Sequence, residues 1–293
     1  MAEEQTAPEV QRPRPQRGDD GIRPLTRAVS ILVLPFLAAA SVLLYLFAGE
    51  TDRLFAWTIQ PPLTAMVLAS AYLGGIWFFV QVLRQGRWHR VRHGFPAVLI
   101  FATLLALATI LHWDRFHFGH VSFLAWATLY FVTPVLLVGV LVVNWRADVG
   151  RPDAVDAAMP WPTRLVLAIV GVGSSVVGIV MFVWPTLAIG SWAWEVTPLT
   201  ARVLGAVLIL PGAVNVWMLV DRRWSAFKWI VQAELVCLLF LNVAIVLCRD
   251  QLDWRNVVTL PVVVVLAASL VFFAWLYLDG ERRARRVREP RTT

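Results

Sequence analysis

The chain has 293 residues, of which 59% are hydrophobic and only 15% are charged, and its mean hydropathy is +0.68. A soluble domain carries about 25% charged residues, so this composition excludes an ordinary water-soluble globule and points to a membrane-embedded chain. The net charge of +7 does not indicate a nucleic-acid binder, because the arginines fall in short runs between apolar stretches and form no continuous basic face.

Residues 1–27 are rich in proline, arginine and acidic residues (Pro13, Pro15, Asp19, Asp20) and have no apolar period. They read as a disordered cytoplasmic tail. The segment lacks the short apolar core and small-residue cleavage site of a signal peptide, so the first span is expected to serve as an uncleaved anchor. A bilayer crossing needs about 20 apolar residues. Stretches of that kind lie at 28–48, 63–83, 95–112, 121–144, 164–184, 199–220, 229–248 and 257–278. Pro35, Pro134, Pro211 and Pro261 fall inside four of them, which membrane helices tolerate when neighbours satisfy the freed carbonyls. Cys237 and Cys248 lie eleven residues apart in the seventh stretch. At about 1.5 Å per residue they are too distant for a disulfide and read as buried apolar thiols.

The basic residues alternate with the spans. The tail, the 84–94, 145–164 and 221–228 connections and the C-terminal segment hold 21 Lys and Arg, whereas the opposite connections hold 4. By the positive-inside rule, both ends of the chain are expected in the cytoplasm. The basic segment 279–293 is expected to lie on anionic lipid headgroups. Most tryptophans, including Trp88, Trp145, Trp224, Trp113, Trp184 and Trp254, flank span ends, where an amphipathic indole prefers the headgroup layer. Arginine outnumbers lysine 25 to 1, which suggests a GC-rich bacterial genome and hence a plasma-membrane location.

A self-similarity runs through the chain. Residues 55–65 recur as 192–201, with Pro62-Leu63-Thr64-Ala65 matching Pro198-Leu199-Thr200-Ala201 at an offset of 136. The offset persists at Arg87-Trp88 against Arg223-Trp224 and at Asp114 against Asp250, and it is 137 at Thr26-Arg27 against Thr163-Arg164. The expected fold is therefore an all-α polytopic bundle of about eight spans, built as two tandem four-helix repeats (28–144 and 164–278) joined by a cytoplasmic linker at 145–163. An even number of spans per unit puts both units in parallel orientation, with a cleft between them. Trp57, Thr64, Trp194 and Thr200 in the repeated segment are candidates for an outer vestibule, set against a purely structural role in re-entering the bilayer.

Embedded polarity is concentrated in the second unit, where Glu234, Asn215, Asn242 and Arg202 replace Val98, Phe79, Ala106 and Met66 of the first. An ionisable group in a span costs roughly 2.5–3.5 kcal/mol and marks a functional site by default. Glu234 is expected about 8 Å deep, within hydrogen-bond reach of Asn215. The competing expectation is that it snorkels toward Arg222, Arg223 or Lys228. A second candidate is the loop His112-Trp-Asp114-Arg-Phe-His117-Phe-Gly-His120, whose imidazoles and carboxylate are weak metal-ligand candidates without a recognised spacing.

No phosphate-cradling glycine loop, nucleophile elbow, HExxH or zinc ribbon is present, and no cofactor is implied. Gly171, Gly173 and Gly178 read as a close-packing signal in the fifth span. Three functions follow in order. The first is transporter- or permease-like handling of a small solute, ion or lipid. The second is a non-catalytic accessory or assembly subunit that binds another membrane protein or a second copy. The third is a metal-dependent or redox protein. Neither catalysis nor nucleic-acid binding is expected.

Overall fold

The computed structural model describes residues 20–145, 147 and 156–288. Residues 1–19 of the expected tail, residues 146 and 148–155 of the linker, and residues 289–293 lie outside the described residues. Among those described, eight helices are long and apolar enough to cross a membrane. They are α1 (Pro24–Leu46), α2 (Pro62–Gln85), α3 (Gly94–Leu111), α4 (Val121–Val143), α5 (Trp161–Val183), α6 (Pro198–Asn215), α7 (Trp224–Leu247) and α8 (Thr259–Arg288). No strand accompanies them among the described residues. The chain is an all-helical, multi-pass membrane protein.

Local sequence explains the helix ends. Prolines open α1, α2 and α6, where no intrahelical donor is lost. A reciprocal cap between Thr197 and Thr200 closes the start of α6. Gly86, at φ 68°, ends α2 in the left-handed region that glycine occupies without strain. Pro261 sits in the first turn of α8 rather than inside a span, so it interrupts no hydrogen bond. Pro211 does lie within α6, and in the turn before it Ser174 and Ser175 of α5 donate to the carbonyls of Leu208 and Ile209 at 2.7 and 3.3 Å.

Three helix ends run furthest past the hydropathy reading. Residues 24–27 already belong to α1. The helix α7 starts at Trp224, five residues early, because Ser225 and Lys228 lower hydropathy without breaking a helix. Similarly, α8 continues through the arginine-rich stretch to Arg288, since arginine is a good helix former.

In the bundle α1 lies along α2, α5 along α6, α3 along α4 and α7 along α8. The halves are tied by α2 against α7 and by α3 against α6. The junction expected to hold a cleft is thus packed by these helices. On the face bearing the basic loops, the segment before α1 pairs with the α2–α3 connection. There Trp88 N–H donates to Asp20 O at 2.8 Å and Ile22 N–H to Gly86 O at 3.2 Å. The segment before α5 pairs likewise with the α6–α7 connection, through Trp224 N–H to Ala157 O and Met159 N–H to Arg222 O, each 2.9 Å. On the opposite face His117 N–H donates to Ala56 O and Asp253 N–H to Ala193 O, both at 2.9 Å. Apolar side chains such as Val135, Val176 and Val271 face outward on α4, α5 and α8, as lipid-facing surface requires. The most enclosed helix is α2.

Candidate intramembrane polar site

Glu234 is the eleventh residue of the 24-residue α7, so it stands about 15 Å along the helix. This is near the middle rather than the shallow position expected from a start at residue 229. Two of the three cations toward which it could snorkel are engaged elsewhere: Lys228 pairs with Glu281 at 2.9 Å and Arg223 with Asp221 at 2.6 Å. Glu234 Oε2 is enclosed and has no hydrogen-bond partner among the described residues. The same turn of α7 carries Ala233 and Cys237, which meet α2 at Gly74. A Cβ on Gly74 would come within 2.7 Å of the Ala233 carbonyl and 3.1 Å of Cys237 Cβ. Glu234 therefore directly follows the residue through which α7 meets α2 of the other half.

The expected partner does not reach it. Asn215 closes α6 and is fully buried, and its amide donates to Leu167 O of α5 at 3.2 Å. Its depth differs from that of Glu234 because α7 begins earlier than hydropathy implies. Asn242 also serves packing, donating to Leu238 O at 2.8 Å and across to Leu266 O of α8 at 3.2 Å. Two residues before Glu234, on the opposite side of α7, Gln232 accepts from Trp77 Nε1 at 3.0 Å and donates to Tyr277 Oη at 2.8 Å, joining α2, α7 and α8.

Arg202 and His112 were read as members of separate sites, and the fold brings them together. Arg202 Nη1 donates to His112 Nε2 at 2.5 Å, linking the start of α6 to the end of α3. The imidazole is held below its ordinary pKa by burial first and then by the Arg202 charge. The other loop candidates are dispersed. His117 uses Nδ1 on Phe55 O at 3.0 Å and Nε2 on Thr58 Oγ1 at 3.2 Å, His120 bonds Ser122 at 2.7 Å, and Asp114 pairs with Arg115 at 3.2 Å. Among the described residues no three His, Cys, Asp or Glu side chains gather as metal ligands.

The vestibule candidates are enclosed. Trp57 packs edge-on against Trp126 at 4.6 Å between ring centres and also touches Phe55 and Phe116. Trp194 Nε1 donates to Thr64 Oγ1 at 2.9 Å, a buried bond between the halves. Thr200 is occupied in capping α6.

Sequence reading missed a polar clamp on the basic face. His93 Nε2 meets Asp221 Oδ2 at 2.9 Å, Arg223 Nε donates to Asp221 Oδ1 at 2.9 Å, and the imidazole stacks on Phe227 at 4.7 Å and 3°. Two related anchors flank it: Asp20 accepts from His89 N–H at 2.9 Å and Asp156 from Ser225 N–H at 3.0 Å. The available signal was the matched Arg-Trp pair. Each anchor binds the backbone just after it, from an aspartate four residues before Pro24 or Pro160.

Comparison with protein-family models, with curated proteins and with solved structures finds no match to this chain. The reading of its function rests on its own residues.

Proposed function

We propose that the chain is a transporter- or permease-like protein handling a small solute, ion or lipid, with Glu234 as its proton- or cation-responsive group. The observation that carries this reading is the enclosed Glu234 Oε2, without a hydrogen-bond partner among the described residues, near the middle of α7. A carboxylate is kept at such a depth only against a substantial cost, and the snorkelling alternative loses support because Lys228 and Arg223 are paired elsewhere. A duplicated architecture supports it further. The matched loop hydrogen bonds and exchanged helix neighbours are those expected of two parallel four-helix units, 28–144 and 164–278, with the ion site near their junction. The arginine-bearing connections favour both chain ends in the cytoplasm of a bacterial plasma membrane.

The test is proton uptake into proteoliposomes under an imposed potential, read with an enclosed pH dye. Wild-type protein is expected to conduct, and Glu234→Gln to lose at least tenfold of the rate while remaining folded. Equal rates in the two would remove Glu234 from the mechanism. A second reading, an accessory subunit, is favoured by the way packing occupies Trp57, Thr64, Trp194 and Thr200. It predicts co-purification of a membrane partner in fixed ratio and no flux in either protein.

A further inference from the structure

Among the described residues, Arg202 is a cation without an anion. It is the fifth residue of α6, about 6 Å from the helix start, on the face opposite the basic loops. Its one hydrogen bond runs to His112, and its Nε is enclosed with no acceptor among the described residues. The nearest acidic group acting on His112 is Asp114, which is itself paired with Arg115 and largely exposed. A guanidinium can only donate, so His112 Nε2 must be the accepting nitrogen and Nδ1 must carry the proton. The imidazole is then neutral and cannot balance the charge, yet it retains an N–H to give. A partly enclosed, uncompensated arginine is costly unless an anion joins it. At the end of a membrane helix the chemistry at hand is phosphate, which a guanidinium recognises through paired N–H donors.

We propose that Arg202, held in place by His112, forms a binding site for a phosphate group, the remaining guanidinium N–H groups supplying the donors. Because α3 and α6 belong to different halves of the chain, the anion binds where the halves meet on this face. The ligand is the headgroup of an anionic phospholipid or a free phosphate. The site does not depend on Glu234 or on transport.

The experiment uses the full chain, delipidated in neutral detergent, with native mass spectrometry and thermal melting as readouts. The probes are dilauroyl phosphatidylglycerol, dilauroyl phosphatidylcholine and inorganic phosphate. Wild-type protein is expected to retain one phosphatidylglycerol under conditions that strip phosphatidylcholine. Binding should weaken at least tenfold in Arg202→Gln and several-fold in His112→Gln, and Arg202→Lys should fall between wild type and Arg202→Gln. An Arg202-dependent rise in melting temperature with inorganic phosphate alone identifies free phosphate as the ligand; a response to phosphatidylglycerol alone identifies the lipid. The double variant Arg282→Gln, Arg283→Gln controls for headgroups held by the basic end of α8 and should keep the tight site. Folded Arg202→Gln and His112→Gln proteins that bind both probes as wild type does would overturn the proposal. Should Arg202→Gln not fold, unchanged binding in both His112→Gln and Arg202→Lys would do the same.

Discussion

At the residue scale, the His93–Asp221–Arg223 clamp shows how buried polar groups hold two distant connections together. Asp221 lies well below the ordinary carboxylate range. Burial alone would raise it, but hydrogen bonds from His93 and Arg223 outweigh that. His93 is pulled below its ordinary 6.5, by burial first and then by the charge of Arg92, against the pull of Asp221. Both shifts have the same consequence for stability. On acidification the unfolded chain binds each proton before the folded one does, so stability is full above about pH 6.5 and falls below it. The imidazole contributes first and the carboxylate only below its ordinary 3.8. Asp221→Asn should cost about 3 kcal/mol at neutral pH, because it removes the carboxylate that His93 and Arg223 both hold. His93→Asn should flatten the loss between pH 6.5 and 5. Melting curves in detergent across pH 4–8 check both, and an Asp221→Asn curve superimposed on wild type would rule the clamp out. Asp221 and His93 were invisible in sequence because their partnership spans 128 residues and neither forms a local pattern. Arg202 and Glu234 were legible because a charged residue inside an apolar run stands out against its surroundings.

At the element scale, hydropathy located all eight spans and erred at their ends, where helix formation and apolarity part company. Trp224–Trp229, interrupted by Ser225 and Lys228, and the arginine-rich Asp279–Arg288 are helical although their hydropathy is low, and the first of these extensions moved Glu234 from a shallow to a central position. The small-residue pattern in α5 was legible as a packing signal, but its members are not equivalent. A Cβ on Gly178 would stand 2.5 Å from Gly205 O and 2.9 Å from Ile209 Cγ1, whereas a Cβ on Gly173 meets nothing within 4 Å. Backbone cannot yield as a flexible side chain can, so Gly178→Ala must push α6 from α5, at about 1–3 kcal/mol. Gly173→Ala should be neutral, or gain up to about 1 kcal/mol from the better helix former. Equal melting temperatures for the two variants would mean that α5 and α6 do not approach as closely as described.

At the scale of the whole molecule, the proposed duplication makes a claim about assembly. If each four-helix unit were self-sufficient, its helices would pack within it alone. Instead α2 lies along α7 and α3 along α6, and Trp194–Thr64 and His93–Asp221 are bonds between halves. Exchanging the halves returns α2–α7 as α6–α3, the relation a two-fold axis along the membrane normal produces. The exchange fails at one place, for α4 also rests on α1 whereas α8 has α7 as its main neighbour. Sequence could register the repeated loop residues but not this interlock, because which helix faces which is decided by side chains far apart in the chain. Each half expressed alone would leave the cross-half faces of its helices bare, including the buried hydroxyl of Thr64 and the imidazole of His93. Those polar groups would lose the partners that satisfy them, at a cost of roughly 1–3 kcal/mol each. Residues 1–150 and 151–293 should therefore each be degraded or aggregate when produced singly. Produced together from separate genes, they should co-purify one to one and elute with the intact chain. A monodisperse, protease-resistant half would show that the units fold independently and that the interlock forms only after each is complete.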